Sequence, residues 1–335
     1  MRAFFKIFGD VTVRALAPVM VAGVAAIAAS TPATAADTYP SRPITIVYPY
    51  ATGSASDTLT RLVGEIITKA LGQPVVVDSK PGAGGSTALE FVSKAPADGY
   101  TLVLSASGTM SVNPYVYKLR YQPVDDLVPI TVLTEIPFIV VTNLDFPPKD
   151  LKEFIAYAKA NPGRMTFGNA GLGTQAHLTQ VLFAKAAAID TNIVPYKGGA
   201  PAVNDLLGGH LNAMIDNAAA QVAHVQAQRV RPMFVTSRER SAALPTVPTA
   251  KEAGLDGFDT AGWFGLAAPK GTPPEIVARI QQAVAKGFAQ PEIRKRLIDA
   301  GWTPVASGTD EARSRARADL ERFGIAAKAI DLKPN

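Results

Sequence analysis

Three times in this chain a short apolar run meets a loop of small residues that leads into an amphipathic helix. Residues 44–48 run into 50–57, residues 74–78 into 81–86, and residues 165–167 into 168–174. After the first loop, Leu59, Leu62, Val63, Ile66, Ile67 and Ala70 recur at helical spacing. Ser56 or Asp57 can cap that helix and Gly72 can end it. Helices are also expected over 86–94, over 151–160 with Asp150 as cap, over 174–188 and over 218–228. Further strands are expected at 101–105, 193–196, 213–216 and 233–236, with a loop at 106–109. A strand–helix order of this kind implies doubly wound α/β sheets. No linker separates the halves. The apolar stretches 136–142 and 260–268 are the places where the chain can cross between two lobes.

The first 36 residues belong to another task. Arg2, Lys6 and Arg14 precede an apolar run over 15–29, and Ala33-Thr34-Ala35 is a small-residue cleavage signal. This reads as a secretory signal peptide cut after Ala35 or Ala36, because the run is short for a membrane span. Its removal lowers the formal net charge from +5 to +3, leaving no basic stripe for nucleic acid. The chain has no cysteine, which excludes disulfides, thiol nucleophiles and thiolate metal sites. Its three histidines, His177, His210 and His224, are not spaced as a metal pair. No metal or cofactor is expected.

Small residues at helix starts let a ligand approach backbone N–H groups, which attract anions. In open α/β sheets such loops lie where ligands bind. None of the three loops contains arginine, so a carboxylate fits better than a phosphate. Gly171-Leu172-Gly173-Thr174-Gln175-Ala176 matches a dinucleotide fingerprint, but no acidic residue follows the next strand. There is no GxSxG elbow. His177 either packs against its glycine loop or touches ligand. Asp57 and Asp216 are each a helix cap or a ligand contact, and Lys197 is a solvated lysine or a partner for a carboxylate. Tyr50, Phe167, Tyr196 and Trp263 are candidates for an aromatic pocket or for the core.

Taken together, these segments resemble the Bug family of tripartite tricarboxylate transporter receptors. The resemblance rests on 49–57, 81–85, 171–178, Val194-Pro195-Tyr196-Lys197-Gly198 with Pro201-Ala202 and 205–209, then 237–241, 244–249, 263–265 and 269–273. Thr52 and Ser54 stand where the family usually has Pro and Gly, and Asn212 where Asp is common. The resemblance implies a periplasmic binding protein of type II fold, with two lobes of mixed sheet flanked by helices and a cleft between them. Lobe 1 would comprise 37–137 and 263–335, and lobe 2 residues 138–262, hinged near Pro137 and Gly262. The implied function is capture of a small carboxylate without catalysis, as a monomer, for delivery to permease subunits or, alternatively, to a sensor kinase. The expected ligand residues are Tyr50, Ala51, Thr52, Gly53, Ser54 and Asp57 in the first loop, Gly84 and Gly85 in the second, and Ser107. In the second lobe they are Asn169, Ala170, Gly171, Gly173, Thr174 and His177, then Tyr196, Lys197 and Gly198, with Asp216 and Asn217 at the distal end.

Overall fold

The computed structural model describes residues 39–50, 52–196, 199–300 and 302–334; the expected signal peptide lies outside them. β1 (Ile44–Tyr48) is almost wholly buried, as an apolar run without a polar face requires. α1 (Ala55–Leu71) buries Leu59, Leu62, Val63, Ile66 and Ile67 and stops at Gly72 in the left-handed region, φ 76°. β2 (Val75–Ser79), α2 (Ser86–Ser93) and β3 (Thr101–Ala106) continue the alternation. The expected loop at 106–109 is instead helical. Gly108–Val112 forms a π-helical turn that runs into α3 (Asn113–Val116). Thr109 fixes its start, accepting the Ala106 N–H at 3.0 Å and donating to the Ala106 carbonyl at 2.9 Å.

After α4 (Pro123–Asp126), β4 (Leu127–Ile136) carries the chain to Pro137 and into a second sheet through β5 (Phe138–Thr142), buried at all five residues. There follow α5 (Leu151–Ala160), β6 (Thr166–Asn169), α6 (Gln175–Ala187), β7 (Asn192–Pro195), α7 (Gly199–Leu207), β8 (Ala213–Asn217), α8 (Ala218–Gln226) and β9 (Arg231–Val235). The Asp150 carboxylate caps α5 by accepting the Glu153 N–H at 2.8 Å. The return brings β10 (Gly262–Pro269), α9 (Pro274–Phe288), α10 (Pro291–Asp299), β11 (Thr303–Pro304) and α11 (Thr309–Ala329). One sheet has the order β11-β4-β10-β3-β1-β2 and the other β7-β6-β8-β5-β9. Both are mixed. β1 lies parallel between β2 and β3, and β6 parallel between β7 and β8, whereas β4, β5 and β10 pair antiparallel with their neighbours. This is the two-lobed α/β architecture the sequence leads one to expect.

Register decides which sheet ends meet. Phe138, the first residue past Pro137, pairs with Asn217, so β8 ends at the crossing, and so does β6 parallel to it. Across Pro137, Gly262 pairs with Ile136 and Phe264 with Ala106, so β3 and its parallel neighbour β1 also end there. The loops that follow β1, β3, β6 and β8 therefore gather along the line between the lobes. α11 braces that line from behind. Tyr115 donates to the Leu320 carbonyl at 2.9 Å, and the Trp263 indole N–H donates to buried Asp319 at 2.7 Å. Phe323 and Ala326 pack on Leu178 and Val181 of α6. Arg315 pairs with Glu135 at the end of β4 and donates to the Ala261 carbonyl beside β10, so one side chain holds both crossing segments.

Candidate functional site

The first loop is shaped by its own hydroxyls. Tyr48 Oη lies 2.5 Å from Ser54 Oγ and 2.8 Å from Ser56 Oγ, and the two serines are 3.0 Å apart. Ser54, not Ser56 or Asp57, caps α1: its side chain accepts the Asp57 N–H. The reason is reach, since the capping oxygen must come from the extended residue just before the first turn. Asp57 sits within that turn and folds back, accepting the Gly53 N–H at 2.8 Å and pairing with Arg61 at 3.0 Å. Gly53 is left-handed at φ +92°, where a side chain would strain the turn. Thr52, Gly53 and Ser54 are exposed, and Ala51 lies outside the described residues. Tyr50 is half-buried and meets Tyr48 edge-on at 5.7 Å. Burial, with Tyr48 adding, pushes its phenol up to about 12.

The second glycine loop supports the first. A Cβ on Gly85 would lie 2.8 Å from Thr109 Cγ2 and 3.2 Å from the Tyr50 ring, so glycine here permits close packing beneath Tyr50. Gly84 is exposed, and its carbonyl accepts from Asn113 at 3.1 Å.

In the second lobe the loop after β6 is organised by an amide. Asn169 is fully buried. Its Nδ2 donates to Gln180 at 2.7 Å, its Oδ1 accepts the Gly171 N–H at 2.9 Å, and its carbonyl accepts the Tyr196 N–H at 3.0 Å. Gly171, at φ +141°, lies so close to the Tyr196 carbonyl that a Cβ would be 3.1 Å from it. Ala170 is half-buried in the same loop. Thr174 caps α6, accepting the His177 N–H while donating to the Gly171 carbonyl at 2.7 Å. His177 is buried, and its Nδ1 accepts the Gly173 N–H at 3.1 Å. The neutral ring therefore carries its proton on Nε2, and burial holds its pKa below the ordinary value. The ring packs against its own glycine loop.

Tyr196 donates to Asp205 at 2.7 Å, and burial with that carboxylate pushes its phenol up to about 12. Lys197 and Gly198 lie outside the described residues. Asp216 is not a cap. Asn217 caps α8 by accepting the Ala219 N–H at 3.0 Å. The Asp216 carboxylate accepts the Asn217 N–H at 2.8 Å and the Gln221 amide at 2.9 Å, and it lines a groove of about 500 Å³ between α7 and α8. Burial raises its pKa above the usual carboxylate value. Phe167 and Trp263 are core residues rather than pocket walls. Asn212 serves structure, accepting from the N–H and hydroxyl of Thr166 at 2.9 and 3.0 Å.

The lobes touch where these loops gather. Ser107 Oγ donates to Gln175 Oε1 at 2.7 Å, Gly173 packs on Val116, and Gly262 lies against the Gln175 amide. Gln175 escaped sequence reasoning, although it sits inside the 171–178 motif. At the first turns of α1 and α6 the Asp57 and His177 N–H groups are taken by the caps, and the backbone N–H groups before them, which precede any intrahelical partner, are the anion-attracting groups the arrangement offers.

The profile described as "Tripartite tricarboxylate transporter family receptor" matches residues 59–332. The chain is 36% identical to Protein BugT of Bordetella pertussis over 293 residues, 86% of this chain and 89% of that one. Among solved structures it is similar to an R. palustris protein with adipate, at TM-score 0.69 and 32% identity, covering 89% of this chain and 100% of the other. It is also similar to MatC from Rhodopseudomonas palustris with bound malate, at TM-score 0.65 and 33% identity, covering 86% and 100%.

Proposed function

The chain belongs to the tripartite tricarboxylate transporter receptor family, and on that premise we propose that it captures a small dicarboxylate-like acid between its lobes and delivers it to a membrane permease. The observation that carries this reading is where polar groups are spent. Ser54, Asp57, Asn169, Thr174 and His177 bond to their own loops, which fixes backbone N–H groups at the first turns of α1 and α6. Fixed, uncharged donors suit a carboxylate, and two relatives carry adipate and malate.

The ligand bridges lobes 37–137/263–335 and 138–262, and closure about Pro137 and Gly262 follows from its higher affinity for the closed form. Residues 1–36 export the chain to the periplasm. The family's description pairs such receptors with a transporter, which favours permease subunits over a sensor kinase. The test is a thermal-shift screen of the chain from Ala36 onward, refolded to strip co-purified ligand, against adipate, malate, citrate, benzoate and amino acids. At ~100 times its dissociation constant a ligand adds ~2.7 kcal/mol of stability, a shift of a few degrees. Shifts with sugars or amines but with no acid would overturn the reading.

A further inference from the structure

Between the lobes one amide is only half used. Ser107 Oγ accepts the Trp263 N–H at 3.1 Å, which leaves its own proton to donate to Gln175 Oε1 at 2.7 Å. The amide stands with its oxygen toward Ser107 and its nitrogen away. Gln175 Nε2 is buried, and among the described residues it has no acceptor. The amide lies over Gly262, where a Cβ would be 3.2 Å from Oε1 and 3.4 Å from Nε2. Glycine at the start of β10 thus makes room for it. Holding a buried donor unpaired is costly unless something completes it. The position is also the right one for a ligand contact. Gln175 opens α6 directly after the Gly168–Thr174 loop, and its two neighbours are the residue that follows β3 and the first residue of β10, both on the line between the lobes.

We infer that Gln175 is a specificity-determining residue of the cleft, whose Nε2 donates to an acceptor oxygen of the bound acid, with Ser107 as the residue that orients it. The inference rests on the carboxylate reading above. Its consequence is a preference for acids that place an oxygen at the crossing line over acids of the same length that present only apolar atoms there.

The decisive experiment compares the wild type with Gln175→Leu and Gln175→Glu by calorimetric titration with adipate, malate, succinate and benzoate, and by melting each ligand-free protein. Leucine keeps the bulk and removes the donor. Affinity for the best wild-type acid should fall about tenfold, while the ligand-free melting temperature changes little, because the unpaired Nε2 is lost together with the bond from Ser107. Glutamate should weaken binding further, since it sets a second negative charge against the acid. Variants that bind within twofold of the wild type, or a Leu variant that loses only ligand-free stability, would overturn the role of Gln175 and leave the carboxylate reading standing. A wild type that binds none of the acids would overturn both.

Discussion

The loops after β1 and β6 are two answers to one problem, the positioning of a helix start at the line between the lobes. Both follow a parallel strand, both carry a hydroxyl cap, and both need a glycine at positive φ. Their stabilising chemistry differs. The first uses rotatable hydroxyls, Tyr48, Ser54 and Ser56, under an exposed tip. The second uses the amides of Asn169 and Gln180, both fully buried, with the ring of His177. A hydroxyl can donate and accept in any direction it turns, whereas an amide has fixed donors and acceptors. The first loop should therefore tolerate loss of a partner by re-pairing, and the second should not.

The sharpest way to break this contrast is Asn169→Leu. It preserves volume but strands Gln180 Oε1 and the Gly171 N–H, two groups with little access to water. At ~1–3 kcal/mol for each unsatisfied group, the expected loss is about 3 kcal/mol, read by urea unfolding of the ligand-free protein. A loss below ~1 kcal/mol would show that the second loop relaxes as readily as the first. Tyr48→Phe is the matching change in the first loop. Ser54 and Ser56 remain 3.0 Å apart and can still bond to each other, so the expected loss is about 1 kcal/mol. A value equal to that of Asn169→Leu would remove the distinction.

Much of this arrangement could be read from sequence, for a physical reason. Apolar runs such as 136–142 have no polar face, so they must be covered on both sides and serve as crossing strands. Asp150 and Gly72 end helices by local chemistry alone. What could not be read depends on partners distant in sequence. Ser54 rather than Asp57 caps α1, and its hydroxyl is held by Tyr48 from the strand below. The helical turn after Ser107 replaces a loop, with residues that α2 and α11 cover: Asn113 donates to Ser86, and Ser111 to the Ala316 carbonyl. Gln175 gains meaning only when Ser107, 68 positions away, arrives from the other lobe. Gly85 and Gly171 look like ligand glycines in sequence, and in space each is also the only residue that fits, one beneath Tyr50 and the other against the Tyr196 carbonyl.

The smallest effect separates the loops by pH. His177 is the buried titratable group in the second loop, and its Nδ1 must keep a lone pair to accept the Gly173 N–H. Its folded pKa lies below the ordinary value because of burial, so the unfolded chain takes up a proton first as pH falls. The stability it contributes is complete above ~6.5 and is lost as pH drops through the folded value, with a slope no steeper than ~1.4 kcal/mol per pH unit. Asp216 and Asp319 have raised values and slope the other way, with stability present at low pH and lost as pH rises through the folded value. They are common to wild type and variant and cancel in a comparison. His177→Gln keeps an oxygen able to accept the Gly173 N–H but does not titrate. Between pH 7.5 and 5.5 the wild type should lose more stability than His177→Gln, by at most ~1.4 kcal/mol, measured by urea unfolding at both values. Equal losses would mean that Gly173 does not depend on the ring, and that the second loop, like the first, holds its shape when one partner is taken away.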